Sequence, residues 1–238
     1  MHTHILPGVD DGAENVDEAL EMLNIAVSNG TSHLVLTPHY LTKDNRSQGI
    51  KKEELCSRFE LFREVAAVRY PQLNRYLGAE MFAVSNIEDV IADDRIIPIN
   101  GTKYVLTEFK FNDYAVRALE ITDVLLESGY TPVIAHPERY SFLQSDPSCA
   151  VKFIERGAVF QINATSMANY SSVGIRDFAF YLLDNEFASV IASDCHSTYQ
   201  RKPDLSEAYA FVSSSFSSAY AEDLFFNNPL SIINGKRI

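Results

Sequence analysis

Short apolar runs alternate with amphipathic stretches along most of the chain. Several of these runs, such as His33–Thr37 and Thr131–Ala135, are almost continuously hydrophobic. Such runs are typical of strands that are buried on both faces of a parallel sheet. The pattern predicts seven strands: His2–Leu6, His33–Thr37, Arg75–Ala79, Tyr104–Glu108, Thr131–Ala135, Val159–Ile162 and Ser189–Ser193.

The stretches between these strands have the periodicity of helices. In the first of them, apolar side chains recur from Ala19 to Val27, and Asn29-Gly30 supplies a helix stop. The pattern predicts seven helices: Val16–Ser28, Ser47–Tyr70, Tyr114–Ser128, Cys149–Arg156, Val173–Leu183, Leu205–Phe216 and Ala219–Phe225.

Alternating strands and helices predict one α/β domain that spans residues 1–238. Because seven strands fall short of the usual eight, we expect an irregular barrel of the TIM type. A doubly wound open sheet is the alternative. It is less favoured because no glycine-rich dinucleotide or P-loop fingerprint follows a predicted strand.

Composition and charge narrow the range of possible functions. The net charge of −12 disfavours a protein that binds DNA or RNA. No apolar run approaches the length of a membrane span, and no signal peptide opens the chain. The three cysteines, Cys56, Cys149 and Cys195, have no paired spacing, which fits a reducing compartment. We therefore expect a cytoplasmic protein without membrane insertion.

Candidate ligands stand at or just beyond the ends of most predicted strands. His2 and His4 point to one face of a strand, since residues i and i+2 do so. Loops at the carboxyl ends of barrel strands gather on one rim, where these side chains would converge. His33 opens its strand, so we expect it on the opposite rim in a structural role. The candidates are His2, His4, His39, His136 and His196, the acids Glu80 and Glu108, and Asp10 and Asp11 in the loop after the first strand.

Imidazoles and carboxylates without paired thiolates favour Mn²⁺, Zn²⁺ or Fe²⁺ over a structural cysteine site. The candidates exceed the needs of one ion, so we expect two or three ions bridged by a carboxylate such as Glu80 or Glu108. Arg139 and Arg201 lie close to His136 and His196 in sequence and could bind phosphate oxygens.

Cys195 and Arg201 have the Cys-x5-Arg spacing of cysteine-dependent phosphatases, but no glycine lies between them. If Asp194 and His196 face the metals, strand alternation turns Cys195 away from the site. We therefore interpret Cys195 as a structural residue.

Six motifs carry these candidates: HTHILPGVDDG at 2–12, TPH at 37–39, GAE at 78–80, EF at 108–109, AHPER at 135–139 and SDCH at 193–196. Together they resemble the PHP (polymerase and histidinol phosphatase) superfamily. Within it, the chain looks most like the bacterial tyrosine phosphatases of the CpsB/YwqE type, which belong to capsule and exopolysaccharide operons.

This resemblance implies a distorted (β/α)7 barrel with a trinuclear centre that usually depends on manganese. Arg139 and Arg201 match the family positions that bind substrate phosphate. The usual partner is a tyrosine autokinase, whose tyrosine-rich tail is the substrate and which controls polysaccharide synthesis. The implied metal ligands are His2, His4, Asp11, His39, Glu80, Glu108, His136, Asp194 and His196.

The chain departs from the family pattern at its start. Family members commonly carry several residues before the first histidine, whereas only Met1 precedes His2 here. We therefore expect a short first strand and weaker occupancy of one metal position. Whether His2 reaches the site tests this expectation.

The functional hypothesis is hydrolysis of phosphotyrosine by a hydroxide generated at the metals, with His39, His196 or a metal-bound water assisting departure of the phenolate. One alternative is a histidinol-phosphatase-like enzyme that cleaves a small phosphomonoester. Another is a non-catalytic, metal-dependent regulator that docks on the kinase.

Overall fold

The computed structural model describes residues 1–41, 49–168 and 171–238. Within these ranges, the eight strands are β1 (His33–Leu36), β2 (His39–Tyr40), β3 (Asn74–Leu77), β4 (Glu80–Phe82), β5 (Tyr104–Glu108), β6 (Thr131–Ala135), β7 (Val159–Asn163) and β8 (Ala188–Ala192). The ten α-helices of the same ranges are α1 (Val16–Ser28), α2 (Lys52–Arg69), α3 (Ile87–Ala92), α4 (Ala115–Glu127), α5 (Ser141–Ser145), α6 (Cys149–Arg156), α7 (Val173–Asp184), α8 (Ser206–Ser215), α9 (Ser218–Glu222) and α10 (Asn228–Ile233). Among these helices, none is long and apolar enough to cross a membrane.

The strands form two parallel sheets. β1 pairs with β3, and the larger sheet has the order β2-β4-β5-β6-β7-β8. The strand order follows the sequence without the reversal that marks the switch point of a doubly wound sheet. The predicted α/β fold with parallel strands is therefore confirmed. The pairings within the described ranges leave two separate sheets, so a closed barrel stays a prediction.

Two predicted strands continue after a short break. The predicted strands His33–Thr37 and Arg75–Ala79 correspond to β1 and β3. After each break a second short strand follows, β2 after β1 and β4 after β3, and β2 pairs with β4 in the larger sheet. Pro38 lies in the first break and has no backbone N–H to donate to a sheet ladder. Its carbonyl instead accepts a hydrogen bond from the N–H of Glu80 at 3.0 Å. The break thus brings His39 and Glu80 into direct register.

The predicted first strand, His2–Leu6, is wrong as a strand, because only Thr3 forms a bridge, with Cys195. The segment is nevertheless held on both sides. The N–H of His4 donates to the Cys195 carbonyl at 2.9 Å, and the N–H of Thr37 donates to the Thr3 carbonyl at 2.9 Å. Residues 2–4 therefore lie between the end of β8 and the end of β1, which satisfies their backbone groups without a regular ladder.

Helix α1 shows how the sequence sets its own boundaries. The side chain of Asn15 accepts a hydrogen bond from the N–H of Glu18, which caps the first turn. Acidic side chains follow in that turn, where the helix dipole favours them. Residues at helical spacing, including Leu20 and Leu23, are buried, and this apolar face joins the hydrophobic core.

The other predicted helices lie within a few residues of observed ones, apart from the start of the second and the end of the last. Of the prediction Ser47–Tyr70, Ser47 and Gln48 lie outside the described residues, and the helix begins at Lys52. The last predicted helix, Ala219–Phe225, becomes α9 followed by a π-helical turn, Asp223–Asn227. Three short helices, α3, α5 and α10, were not predicted, since five or six residues give too little periodicity.

Gly12 allows the loop after the N-terminal segment to fold back against His4. A Cβ at position 12 would lie 1.9 Å from the His4 carbonyl oxygen. We expect Gly12→Ala to destabilise the fold by about 1–3 kcal/mol, the range for overpacking, and to weaken metal binding by displacing His4. Thermal unfolding and calorimetric metal titration measure the two effects.

Gly30→Ala is the control for this prediction. Gly30 has φ +88°, and a Cβ added there would have no neighbouring atom within 4 Å. The variant should lose about 1–2 kcal/mol through backbone strain alone and keep its metal affinity. Equal metal affinity in both variants would contradict the proposed contact.

Candidate metal centre

The predicted ligands meet at one edge of the parallel strands. His39 lies in β2, Glu80 opens β4 and Glu108 ends β5. His136 follows β6 directly, and Asp194 and His196 follow β8. Residues that are far apart in sequence thus reach one edge because parallel strands all point the same way.

Glu80 lies at the middle of this cluster. Its Oε2 is 3.2 Å from His2 Nε2, 3.3 Å from His4 Nε2 and 2.8 Å from His39 Nδ1. Its Oε1 is 2.9 Å from His136 Nε2. Although Oε2 is buried among these nitrogens, none of them forms a well-aligned hydrogen bond with it within the described residues. A buried carboxylate oxygen costs free energy when it lacks a hydrogen bond, and a cation would compensate for it.

Seven of the nine predicted ligands fall into three groups whose ligand atoms lie within 4.8 Å of one another. The groups are His4, Asp11, His39 and His196; His2, His4 and Glu80; and His39, Glu80 and Glu108. The other two ligands adjoin them, since Asp194 Oδ1 is 3.4 Å from His2 Nε2 and His136 contacts Glu80. His2 reaches the cluster even though it follows only Met1. The nitrogen and oxygen donors fit a centre of several divalent ions.

The carboxylates of Glu80 and Glu108 repel each other in this buried setting. Burial, followed by the charge of Glu80, raises the pKa of Glu108 to about 8. Burial also disfavours the charged form of Glu80, but the interactions with the His2 and His39 imidazoles outweigh it and hold the pKa of Glu80 well below its usual range. A divalent cation between the two carboxylates would remove this repulsion.

A hydrogen-bonded layer behind the ligands orients their imidazoles. His2 Nδ1 donates to Gln161 Oε1 at 2.7 Å, and His4 Nδ1 donates to Asp10 Oδ2 at 2.7 Å. These bonds place the proton of each ring on Nδ1 and leave Nε2 with a lone pair for a metal. Asp10 is therefore a supporting residue, whereas the partly exposed Asp11 contacts His39 and His196.

The same layer continues from Gln161 to Asp194. Gln161 Nε2 donates to Asn163 Oδ1 at 2.9 Å, and Asn163 Nδ2 donates to Asp194 Oδ2 at 2.7 Å. Glu138 Oε1 accepts from the Asn163 N–H at 2.8 Å, which ties the turn after β6 to the end of β7. Sequence reasoning missed Gln161, Asn163 and Glu138, although the alternation of Gln161 and Asn163 along one strand was a signal.

Two ligand positions have left-handed backbone conformations. His136 has φ 34° and Asp194 has φ 48°, values that non-glycine residues rarely adopt. His136 directly follows β6, and Asp194 lies two positions beyond the end of β8. The turn redirects the side chain from the sheet toward the cluster, a strain that is typical of functional sites.

Both predicted arginines lie beside the cluster and are partly exposed. Arg201 Nη1 donates to Asp194 Oδ2 at 3.1 Å, and Arg139 Nη1 is 3.8 Å from the same oxygen. They border a cavity of about 520 Å³. The cavity is lined by Asp11, His39, Glu80, Phe82, Glu108, Phe109, Lys110, Phe111, Asn112, His136, Arg139, Asp194, His196 and Arg201.

Cys195 and His33 lie apart from this cavity's lining. The Cys195 side chain is buried, and burial raises the pKa of its thiol. Its carbonyl accepts a hydrogen bond from His4, which is a structural contact. His33 opens β1, stacks on Tyr76 and lines a separate cavity with Met1 and residues of α8 and α10. These positions agree with the structural roles predicted for both residues.

Residues 1–234 match the family model described as capsular polysaccharide synthesis, CpsB/CapC. The chain belongs to the CpsB/CapC family. It is 34% identical over 205 residues to the putative tyrosine-protein phosphatase CapC of Staphylococcus aureus, covering 84% of this chain and 78% of CapC. It is 31% identical over 245 residues to tyrosine-protein phosphatase YwqE of Bacillus subtilis, covering 98% of this chain and 91% of YwqE.

A solved member of the CpsB/CapC family has the same fold. The comparison gives a TM-score of 0.91 at 28% identity and covers 100% of this chain and 94% of the other. That chain comes from the crystal structures of YwqE from Bacillus subtilis and CpsB from Streptococcus pneumoniae, described as metal-dependent tyrosine phosphatases. The resemblance to the CpsB/YwqE type is therefore confirmed.

Gln161 should affect metal binding through His2. We expect Gln161→Leu to weaken metal binding about 10- to 100-fold, the usual effect of removing a hydrogen bond behind a ligand. Gln161→Glu keeps an acceptor for His2 Nδ1 and should retain more of the affinity. Calorimetric metal titration of both variants measures this difference, and an unchanged affinity in Gln161→Leu would show that His2 needs no such support.

Proposed function

We propose that this chain is a metal-dependent tyrosine phosphatase that hydrolyses phosphotyrosine in a protein substrate. The observation that carries the proposal is the buried Glu80 carboxylate, surrounded by imidazoles, beside two arginines in an open cavity. The activities named for the relatives CapC, YwqE and CpsB support the same function.

The residues that would hold the metals are the nine predicted ligands, in which Glu80 and Glu108 are the central carboxylates. We propose two or three Mn²⁺ ions, with Zn²⁺ or Fe²⁺ as the alternatives that the same donor set accepts. Such ions, when bound, neutralise phosphate charge and make an attacking hydroxide available at neutral pH. The orphaned Glu80 oxygen and the Nδ1 hydrogen bonds of His2 and His4 support this assignment.

Arg139 and Arg201 would bind the phosphate oxygens of the substrate. Both guanidinium groups approach Asp194 Oδ2 on one side and line the cavity on the other. Their planar donors suit two phosphate oxygens at once. In an acidic protein, these two cations, with Lys110 in the same lining, supply positive charge where an anionic substrate would bind.

A phenolate leaving group has a solution pKa of about 10, so it needs only modest help from an acid. His39 and His196 are the candidates for this role. Both Nε2 atoms lie near Asp11 Oδ1, at 3.4 Å and 3.3 Å. His196 Nδ1 donates to the Asp194 carbonyl at 2.9 Å, which fixes its ring orientation.

The two sheets fit a distorted seven-stranded barrel. Counting β1 with β2 and β3 with β4 as interrupted strands gives six, and the N-terminal segment would be the seventh. The N–H of Asp194 donates to the His2 carbonyl at 3.0 Å, and Thr37 bonds to Thr3 on the other side. These contacts support ring closure and one metallophosphatase domain over residues 1–238.

The cellular substrate would be the tyrosine-rich tail of a tyrosine autokinase that controls capsular or exopolysaccharide synthesis, in the cytoplasm. The capsule-synthesis description of the family model supports this setting. Three free cysteines in the described chain fit a reducing compartment. The net charge of −12 supports a protein substrate over nucleic acid.

Metal reconstitution tests the proposed activity. Metal-stripped protein should be inactive on a phosphotyrosine peptide and recover turnover with Mn²⁺. Turnover with histidinol phosphate instead would favour the small-molecule enzyme. Activity that persists in the metal-free protein would contradict the proposal.

His136→Ala sharpens this test. The variant should lose nearly all turnover, because it removes a buried imidazole that contacts Glu80, yet still bind the kinase. Glu207→Ala, which removes an exposed acid in the first turn of α8, is a control that should change little. If wild-type protein binds the kinase tightly but shows no turnover with Mn²⁺, with Zn²⁺ or with Fe²⁺, the non-catalytic regulator becomes the better interpretation.

Cys195 separates this enzyme from cysteine-dependent phosphatases. Cys195→Ala should keep turnover within a few-fold and lose some stability, about 1 kcal/mol for a small buried side chain. Steady-state kinetics and thermal unfolding measure the two effects. A loss of turnover as complete as that of His136→Ala, in a folded variant with its metal, would point to a cysteine nucleophile.

A further inference from the structure

Phe111 is an aromatic side chain that the proposed phosphate chemistry does not explain. It lies in the loop between β5 and α4, lines the active-site cavity and is 43% exposed. An exposed phenyl ring at the mouth of a polar cavity gains little from burial. Its position therefore calls for a partner, either within the chain or in the substrate.

Arg139 occupies one side of this ring. Its guanidinium carbon lies 4.3 Å from the centroid of Phe111, which is a cation–π contact. The His136 ring packs edge-on against Phe111 at 5.8 Å. Phe111 thus contacts both the arginine proposed to bind phosphate and one of the proposed metal ligands.

The backbone holds Phe111 at this place. Its carbonyl accepts a hydrogen bond from the N–H of Ser141 at 2.8 Å, and the N–H of Phe109 donates to the Tyr140 hydroxyl at 3.1 Å. Both bonds join the loop after β5 to the turn that carries His136 and Arg139. The ring is therefore positioned before a ligand arrives, which lowers the entropy cost of binding.

Phe82 and Phe109 belong to the lining of the same cavity as Phe111. Among these three residues, Phe109 is buried in the core, whereas Phe111 is exposed. In an aryl phosphate, the ring begins at the atom bonded to the ester oxygen, so it must lie directly beside the bound phosphate. The exposed ring of Phe111, next to Arg139, suits contact with that ring.

We propose that Phe111 is a specificity-determining residue, which packs against the aryl ring of the substrate and so favours aryl over alkyl phosphates. The inference rests on the proposed phosphatase function and names the group that selects its substrate class. Phe111 would make this contact with the leaving group, while Arg139 beside it binds the phosphate.

Binding of two non-hydrolysable probes tests the proposal without turnover. Mn²⁺-loaded protein is titrated by calorimetry with phenylphosphonate and with methylphosphonate, which differ only in the group attached to phosphorus. Wild-type protein should bind phenylphosphonate more tightly. Phe111→Leu should weaken the binding of phenylphosphonate about three- to tenfold, which is the contribution of one aromatic contact. It should leave the affinity for methylphosphonate unchanged.

Two further variants serve as controls. Phe111→Tyr keeps the ring and should keep the preference for phenylphosphonate. Tyr114→Leu removes an aromatic side chain that is 79% exposed on the same loop and should change neither affinity. Since Phe111 is partly exposed, its variants should fold, which circular dichroism and metal content verify.

Three results would overturn the inference: equal affinity of wild-type protein for the two probes, no change in Phe111→Leu, or the same weakening for both probes. The last result would mean that Phe111 acts only by positioning Arg139. Absence of turnover with every phosphomonoester, while the probe preference and its loss in Phe111→Leu persist, would instead count against the proposed function alone.

Discussion

The structure depends on how the protein accommodates several carboxylates and imidazoles in a buried space. Glu80 lies at the centre, with Glu108 and Asp194 close enough to repel it and with imidazole nitrogens on its other sides. A buried charge is tolerated only when it is paired, hydrogen-bonded or bound to a cation. The break in β1–β2, the left-handed turns at His136 and Asp194, and the hydrogen bonds behind His2 and His4 all serve to place these groups around a common centre.

Much of this arrangement was predictable from the sequence because it follows from strand geometry. β5 and β6 match their predicted limits, since each is an apolar run with a clear boundary, and parallel strands deliver their carboxyl ends to one edge. For the same reason His39, Glu80, Glu108, His136 and His196 could be assigned to one site, whereas Asp194 was added by the family resemblance. Their residue types alone favoured a metal centre.

The supporting residues were harder to predict, because their roles come from contacts over long sequence separations. Gln161 reads as an ordinary polar residue in a strand until its hydrogen bond to His2 is seen. Asp10 and Asp11 are adjacent, and only the fold shows that Asp10 supports His4 while Asp11 faces His39 and His196. The segment His2–Leu6 was wrongly predicted as a strand, because a hydrophobic pattern does not show whether backbone partners extend along the whole segment.

The position of the N-terminal segment has a consequence for the order of assembly. Thr3 forms a backbone bridge with Cys195, so the segment around Thr3 cannot make this contact until a long stretch of chain has been synthesised. Contacts of such long range form late, since a large loop must close first. During synthesis, His2 and His4 therefore remain separated from Asp194 until β8 has left the ribosome. The proposed set of ligands can therefore come together only once the segment around Thr3 has joined the end of β8.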